Sequence, residues 1–451
     1  MSCTQFITVN NLIQIADNSQ RTFVPQQLDP LRPLAGVAIK NINLDGNPSL
    51  LVFPQSQSDC TDKIQDSSIF TIEGENILVT GNIMGFVGIG DTRLRIFSRF
   101  AKEDEQDFFL HYMIQRVFAV NLFDLQYNSD RTDIFDFLIY LFPTYLKRAY
   151  KQGLYKEYQT HCYNDSHIRG RIDFAQHIRR NIPFNGNIAY QTREYAYNND
   201  LTQLIRHTIE YIRQHPYAGS ILLNDADTKD AVKAIEQATP TYNRQERARI
   251  INSNLRPIQH PYYNEYRYLQ QLCLQILRHE ELKYGTTDSE IYGILFDGAW
   301  LWEEYLAIVL KDVMTHYTQK GPKIFKLFME RNRHIVPDYL NQERRIVADA
   351  KYIPLDKANI SEGSDREVAI YYKTLVYMYR FKCPVGYLFY PLKEDSPDGK
   401  MEKFSLYGDS TQQLIKLGLP IPQHATSWAT FQGQMKRSEE IFVQQITDDS
   451  C

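Results

Sequence analysis

The spacing of apolar residues changes twice along the chain, and this limits the possible folds more than any single motif does. Up to about residue 100, short β-prone runs such as Gly36-Val37-Ala38-Ile39, Ile77-Leu78-Val79 and Phe86-Val87-Gly88-Ile89 are separated by Gly, Asp and Asn. Arg93-Leu94-Arg95-Ile96-Phe97 then alternates as a half-buried strand does. From about 105 to 285 the period becomes helical, with one stripe at Leu201, Leu204, Ile205, Ile209 and Ile212 and another at Leu269, Leu272, Cys273, Ile276 and Leu277. After about 290 the pattern runs helix, three strands, helix, strand. The expectation is an α/β chain of the multidomain α+β kind. It has a β-rich N-terminal domain over 1–104, a helical middle region over 105–289, a third domain over 290–423, and a polar tail over 424–451 that is only partly ordered.

Length and composition narrow the function classes. The chain has 451 residues, 43% of them hydrophobic, enough for two or three packed cores. Its six cysteines are scattered singly, so neither a zinc cluster nor a disulfide framework is expected, and a reducing cytoplasm fits best. No secretory signal is expected at Met1-Ser2-Cys3-Thr4-Gln5. The apolar run Phe137 to Leu146 is too short to cross a bilayer and contains Pro143, so it reads as a buried helix and its exit. Gly81, Gly85, Gly88 and Gly90 lie in β-like sequence with no following Gly-Lys-Ser/Thr, which excludes a nucleotide-binding loop there.

The net charge of −4 means that nucleic-acid contact must rest on local basic patches. One is Arg169-Gly170-Arg171 with Arg179-Arg180. The other comprises Arg331, Arg333, Arg344 and Arg345, which could meet phosphates or simply solvate strand ends. The 31 tyrosines could stack on bases, but aromatic side chains more often fill cores.

The strongest chemical pattern lies in a hairpin. Ile335-Val336-Pro337-Asp338-Tyr339-Leu340 reads as one strand, Asn341-Gln342-Glu343 as a turn, and Arg345-Ile346-Val347-Ala348-Asp349-Ala350-Lys351-Tyr352 as the returning strand. Alternate side chains share a face, so Asp349 and Lys351 point together while Ile346, Ala348 and Ala350 point to the other layer. Phosphodiester hydrolysis needs an activated water, charge stabilisation and hard oxygen ligands for a cation. Asp338, Asp349 and the backbone carbonyl of Ala350 would supply ligands for magnesium, with manganese as a substitute, and Lys351 would orient water and offset phosphate charge.

Asp-x-Lys alone is a weak signal. Asp227-Thr228-Lys229 follows a helix start at Asn224-Asp225, and Asp398-Gly399-Lys400 belongs to a Ser-Pro-Asp-Gly turn, so both are decoys. Two further residues stand near the pattern. On the amphipathic segment Leu301 to Leu310, Glu303 lies at the edge of the apolar face and Glu304 on the wet side, so Glu303 is a third carboxylate or an ordinary helix-surface residue. Lys373 is the lone charge in the apolar run Val368 to Tyr379, which is expected to be buried against the sheet. Its ammonium either meets an acidic site or reaches water along its stem.

These residues, with several blocks elsewhere, resemble the McrC family, the nuclease subunit of modified-cytosine restriction systems. The blocks include Gly85-Phe86-Val87-Gly88-Ile89, Leu94-Arg95-Ile96, Arg169-Gly170-Arg171-Ile172-Asp173-Phe174, Glu194-Tyr195 leading to Asn199-Asp200-Leu201, Leu295-Phe296-Asp297 through Leu301-Trp302-Glu303, Pro337-Asp338, Asp349-Ala350-Lys351 and Gly386-Tyr387-Leu388-Phe389-Tyr390-Pro391. Departures are Ser98-Arg99-Phe100 in place of a Pro-Lys pair, Gly298 in place of methionine, and Lys373 in place of glutamine.

The resemblance implies a PD-(D/E)xK endonuclease domain with a mixed sheet flanked by helices over 290–423. It also implies a partner, a hexameric McrB-like AAA+ NTPase that handles GTP or ATP, recognises modified double-stranded DNA such as 5-methylcytosine sites, and is stimulated through the N-terminal domain of this chain. The competing expectations are a stand-alone repair or junction nuclease, and a non-catalytic activator of the partner.

Overall fold

A computed structural model describes residues 11–42, 50–54, 67–90, 92–101, 107–118, 133–215, 219–223, 225–282, 291–317, 325–330, 334–353, 365–394 and 401–448. They form two compact units, Met1–Val120 with Thr287–Cys451, and Asn121–Thr286.

The first unit contains two main sheets. The N-terminal one has five strands in the order Asn11–Ala16, Thr92–Phe97, Ile83–Ile89, Ile291–Asp297, Leu50–Phe53. The outer pairings are parallel and the inner two antiparallel. Leu94 and Ile96 enter the core with Ile13, Ile15, Val87 and Leu295, while Arg93 and Arg95 stay partly exposed, so the alternation expected for this strand is observed. The placement of Ile291–Asp297 corrects the expected boundary near 290. This segment is an inner strand of the N-terminal sheet, and the β-rich region is not closed without it.

Two glycines permit that pairing. Gly85 has φ +125° and Gly293 φ +150°; a Cβ on the first would stand 2.1 Å from the Ile294 carbonyl oxygen, and on the second 2.2 Å from that of Phe86. They serve close backbone approach.

The second sheet has six strands in the order Thr315–His316, Tyr339–Asn341, Ile346–Ala350, Val385–Lys393, Asp409–Ile421, Met401–Leu406. The central pairings are parallel and the outer ones antiparallel, giving the mixed sheet that was expected. Both faces are covered, which explains why Val385–Lys393 is almost continuously apolar. Leu388, Tyr390 and Leu392 share a core with Ile370, Tyr377 and Met378 of the helix Asp365–Phe381. On the other face, the ring of Phe389 lies 5.1 Å from that of Phe442, and Trp302 of the helix Gly298–Val309 donates to the Phe389 carbonyl.

One expectation for this unit needs correction. The polar tail is a helix, Trp428–Asp448, whose buried residues Phe431, Met435, Glu439, Phe442 and Ile446 form one narrow seam among polar positions. Glu439 is tolerated there because the Tyr112 and Tyr305 hydroxyls donate to it at 3.0 and 2.6 Å. The helix Asp365–Phe381 is buried against the sheet as expected, while Tyr372, Val376 and Tyr379 form an exposed stripe on its other side.

The second unit carries the helices Asp133–Tyr150, Asp200–Gln214, Ala226–Ala238 and Asn264–Leu282, and both predicted stripes are buried. Pro143 lies inside the first helix rather than at its exit. An antiparallel sheet of Glu157–Asp165, Ile188–Ala196 and Arg171–Ile172 interrupts the helical region, contrary to expectation. Glu157–Asp165 is mostly polar and half-exposed, so it lacks the apolar alternation that reveals a strand. The decoy Asp227-Thr228-Lys229 does lie at a helix start, where the Asp225 carboxylate accepts from the Thr228 N–H at 2.8 Å. The decoy ending at Lys400 lies outside the described residues. No helix among the described residues is long and apolar enough to cross a membrane.

Candidate functional site

The predicted hairpin forms, with Tyr339–Asn341 antiparallel to Ile346–Ala350 and Tyr339 opposite Ala348. Its first strand is shorter than expected. His334–Ile335 pairs instead with Phe325–Lys326, and the chain regains the sheet only after Pro337, which has no N–H for a ladder. Asp338 therefore sits just before the strand, buried, and its Oδ2 accepts from the Ala350 N–H at 2.7 Å. This bond ties the acidic residue of one arm to the end of the other.

Asp349 is fully buried on the sheet face that also carries Leu388. Lys351 follows the end of its strand, where its N–H donates to the Phe389 carbonyl at 2.8 Å. The Lys351 ammonium lies 2.5 Å from Asp349 Oδ2, and the Lys373 ammonium reaches Asp349 Oδ1 at 2.9 Å from the neighbouring helix. Of the two alternatives for Lys373, the acidic partner is the one observed. Each buried oxygen of Asp349 thus meets one ammonium and keeps a further lone pair for another ligand.

The electrostatics divide the two aspartates. Burial pushes the Asp349 carboxyl up, but the Lys351 and Lys373 ammoniums together outweigh it and hold the group below its ordinary range. Asp338 is pushed well above its ordinary range, first by burial and then by the charges of Asp349 and Glu303, with the lysines offsetting only part. Burial is the largest single influence on Lys373 and lowers it, but the charges of Asp349 and Asp338, with Tyr377 and the contact to Asp349, together outweigh burial and raise the group above its ordinary range. The two carboxyls are thus shifted in opposite directions, Asp349 toward its ionised form and Asp338 toward its protonated form.

Glu303 is close enough to act on Asp338 electrostatically, yet its carboxylate turns to His316, with Nε2 at 3.0 Å. The Tyr339 hydroxyl donates to the Glu303 backbone carbonyl and the His316 ring stacks on Tyr339, so this pair is held against the hairpin. Among the described residues, no three acidic, imidazole or thiol side chains form a ready metal-holding group. The carboxylates of Asp338 and Asp349 lie at the strand end with the Ala350 carbonyl, which the Lys351 ammonium meets at 3.4 Å, and oxygens of this kind suit a magnesium or manganese ion. Each Asp349 oxygen has one ammonium neighbour and a lone pair to spare, and that is the specific feature that matches.

The basic residues are less concentrated than expected. Arg331 and Arg333 lie outside the described residues. Arg344 and Arg345 are exposed at the turn, and Arg345 is committed to the Lys382 carbonyl at 2.7 Å. They stand at the opposite end of the strand from the aspartate, about 13 Å along it by strand rise. That corrects their placement beside the site. In the other unit, Arg169 pairs with Asp165 and also donates to the Tyr190 hydroxyl, while Arg171, Arg179 and Arg180 are exposed.

Sequence reasoning missed His316 and Tyr352. No motif marks the first, while the second stands directly after Lys351 and is 2% exposed. A Cβ on Gly298 would stand 2.8 Å from the Tyr352 ring, which accounts for the absence of a larger residue there.

The sequence model of a family described as McrBC 5-methylcytosine restriction system component matches residues 78–391. No curated protein matches the chain. Among solved structures, the chain is similar to one in the refined half-complex from the tetradecameric assembly of Thermococcus gammatolerans McrB AAA+ hexamers with bound McrC. That match has 17% identity and a TM-score of 0.50, and covers 97% of this chain and 100% of that one. A chain of the Thermococcus gammatolerans McrBC complex solved by cryo-EM matches at 16% identity with a TM-score of 0.31, covering 67% of this chain and 87% of that one. The first likeness bears on the fold.

Proposed function

The chain belongs to the family of McrBC 5-methylcytosine restriction system components, and from that premise we propose that it is the DNA-cleaving subunit of such a system. The observation that carries this reading is a buried carboxylate, Asp349, flanked by two ammoniums and joined through Ala350 to a second carboxylate, Asp338. In this reading Asp338, Asp349 and the Ala350 carbonyl hold magnesium, or manganese in its place, with Glu303 next to them. When bound, the ion supplies charge neutralisation at the phosphate and an activated water.

The chain's own residues do the rest. Lys351 faces the scissile phosphate with a fixed positive charge and orients the attacking water. Lys373 keeps Asp349 ionised in a buried setting, and Asp338 fixes the strand end that carries the lysine. The partner is an AAA+ NTPase like the McrB hexamers bound by McrC in the Thermococcus assembly. It carries the GTP or ATP site and reads the modified double-stranded DNA.

The purified chain should therefore cut DNA poorly alone and gain cleavage when partner, magnesium and nucleoside triphosphate are all present. A gel assay with each component omitted in turn checks this. Vigorous cleavage by the chain in magnesium alone would instead support a self-sufficient nuclease, and stimulation of the partner's NTPase without any cleavage would support a non-catalytic activator.

Lys373 offers a graded check. Lys373→Met should reduce cleavage about tenfold to a hundredfold, because the buried carboxylate loses one of its two counter-charges while Lys351 remains. Lys373→Arg should recover part of that loss. Wild-type rates in Lys373→Met would remove this residue from the account.

A further inference from the structure

We propose that Arg99 is a positioning residue for Lys351 and acts through the ring of Tyr352, so that the N-terminal sheet sets the orientation of the lysine. The effect on cleavage rests on the nuclease reading above; the effect on Lys351 itself does not.

The strand Ile346–Ala350 leaves its sheet just before Lys351. After the Lys351 N–H bond to Phe389, the next residue is Tyr352, whose ring enters the N-terminal part of the same unit. The Arg99 guanidinium lies over that ring, 4.4 Å from its centroid. The edge of the ring packs against Gly298, and the hydroxyl meets Met84 Sδ at 3.3 Å. Tyr352 is therefore clamped by residues that follow or belong to strands of the five-stranded sheet.

Arg99 is itself held rigidly. Its Nη1 lies 3.1 Å from Asp17 Oδ2, and its backbone N–H donates to Asp17 Oδ1 at 2.5 Å. Asp17 is fully buried at the end of Asn11–Ala16, and its own N–H donates to Phe97. Arg99 Nη2 is buried and has no hydrogen-bond partner, so that end of the guanidinium is not engaged in a polar network. A cation held over a buried aromatic face is a favourable and orientation-dependent contact. A continuous series of contacts thus links Asp17, Arg99, Tyr352 and Lys351.

Lys351 has little freedom to spare. Its ammonium must stay within ion-pair distance of Asp349, and the backbone at Tyr352 is the covalent neighbour that fixes where its side chain starts. A displacement of about 1 Å at a catalytic group can cost about a hundredfold in rate. An Arg99 that only neutralised Asp17 would have no such effect on Lys351, which separates positioning from a purely structural role.

The test uses the full chain, alone and with its partner, in four variants. Asp17→Asn/Arg99→Met removes the cation from the ring without leaving a buried charge unpaired. Asp17→Asn alone keeps the cation on the ring, Arg99→Lys keeps a cation at that place, and Tyr352→Leu removes the ring but keeps the Asp17–Arg99 pair. The first readout is the rate at which an N-hydroxysuccinimide ester acetylates Lys351, measured by peptide mass spectrometry relative to exposed Lys229. The second is kcat and KM for DNA cleavage by the complex.

The double variant and Tyr352→Leu should change relative Lys351 labelling about threefold or more and lower kcat about tenfold or more, with KM for DNA unchanged. Arg99→Lys should stay near wild type in both, and Asp17→Asn, which keeps the cation but weakens its anchor, should fall between wild type and the double variant. Unchanged labelling in the double variant overturns the proposal, as does an equal change in Asp17→Asn. Should the double variant fail to fold, Tyr352→Leu decides alone, with wild-type labelling counting against the proposal. Altered labelling in a system where even the wild-type complex cuts no DNA would leave the positioning of Lys351 standing and refute the nuclease reading.

Discussion

Asp349→Ala and Lys351→Ala should each abolish strand cleavage by the complex, by about a thousandfold or more, while the chain stays folded and still stimulates its partner's NTPase. The size of the effect follows from what each side chain contributes. Asp349 is the member of the acidic pair held below its ordinary range and the residue on which both ammoniums converge. Losing it removes an anionic oxygen ligand and releases Lys351 from its fixed position. Losing Lys351 leaves charge building on the phosphate without its nearest counter-charge. Folding is less affected because neither lysine is sealed in the core, so after Asp349→Ala both ammoniums can turn to water. Removing the Asp349 charge also relieves the repulsion that raises Asp338. Lys229→Ala and Lys400→Ala are the controls, and both should cut normally. Wild-type cleavage by Asp349→Ala at an unchanged melting temperature would contradict the assignment, as would loss of cleavage in a folded control.

Gly293→Val should have the largest effect on stability, at least about 4 kcal/mol, enough to leave little folded chain in a marginally stable unit. Gly293 combines a backbone conformation that L side chains rarely adopt with a cross-strand approach in which its Cβ would lie 2.2 Å from the Phe86 carbonyl oxygen. The obstacle is backbone, so no rotamer change relieves it. The strand that would shift is an inner one and leads through Asp297 into the helix bearing Glu303. Loss of fold should therefore bring loss of cleavage and of partner stimulation together, unlike Asp349→Ala. Circular dichroism melts of the two variants distinguish these patterns, and a Gly293→Val chain melting like wild type would show that the close approach is not required.

The two kinds of variant also mark what the sequence could and could not disclose. Asp349 and Lys351 were legible because a strand's period of two puts them on one face, and because neither decoy lies in an apolar β-run. The stripes at Leu201 to Ile212 and Leu269 to Leu277 were legible for the corresponding helical reason. Ile291–Asp297 was misplaced because local pattern identifies a strand without naming the neighbour it pairs with, and its partners lie far back in the chain at Ile83–Ile89 and Leu50–Phe53. Glu157–Asp165 was missed because a half-exposed polar strand carries no alternation. The helix Trp428–Asp448 was read as a tail because its apolar seam is narrow and its buried Glu439 looks like a surface residue until the tyrosines that satisfy it are in view. Lys373 showed that it needed a partner, but only the packing of its helix on the sheet reveals that the partner is Asp349.

The central claim is that cleavage occurs at Asp349 and its neighbours with the help of a divalent ion. Its most direct test measures initial strand-cleavage rates of wild-type and Asp349→Ala complexes in parallel over a magnesium titration, on modified double-stranded DNA with partner and nucleotide at saturation. The account predicts a saturable rise with magnesium for wild type, no cleavage in its absence, and a flat line near zero for the variant. Magnesium-dependent cleavage by the folded Asp349→Ala complex at the wild-type rate would contradict it.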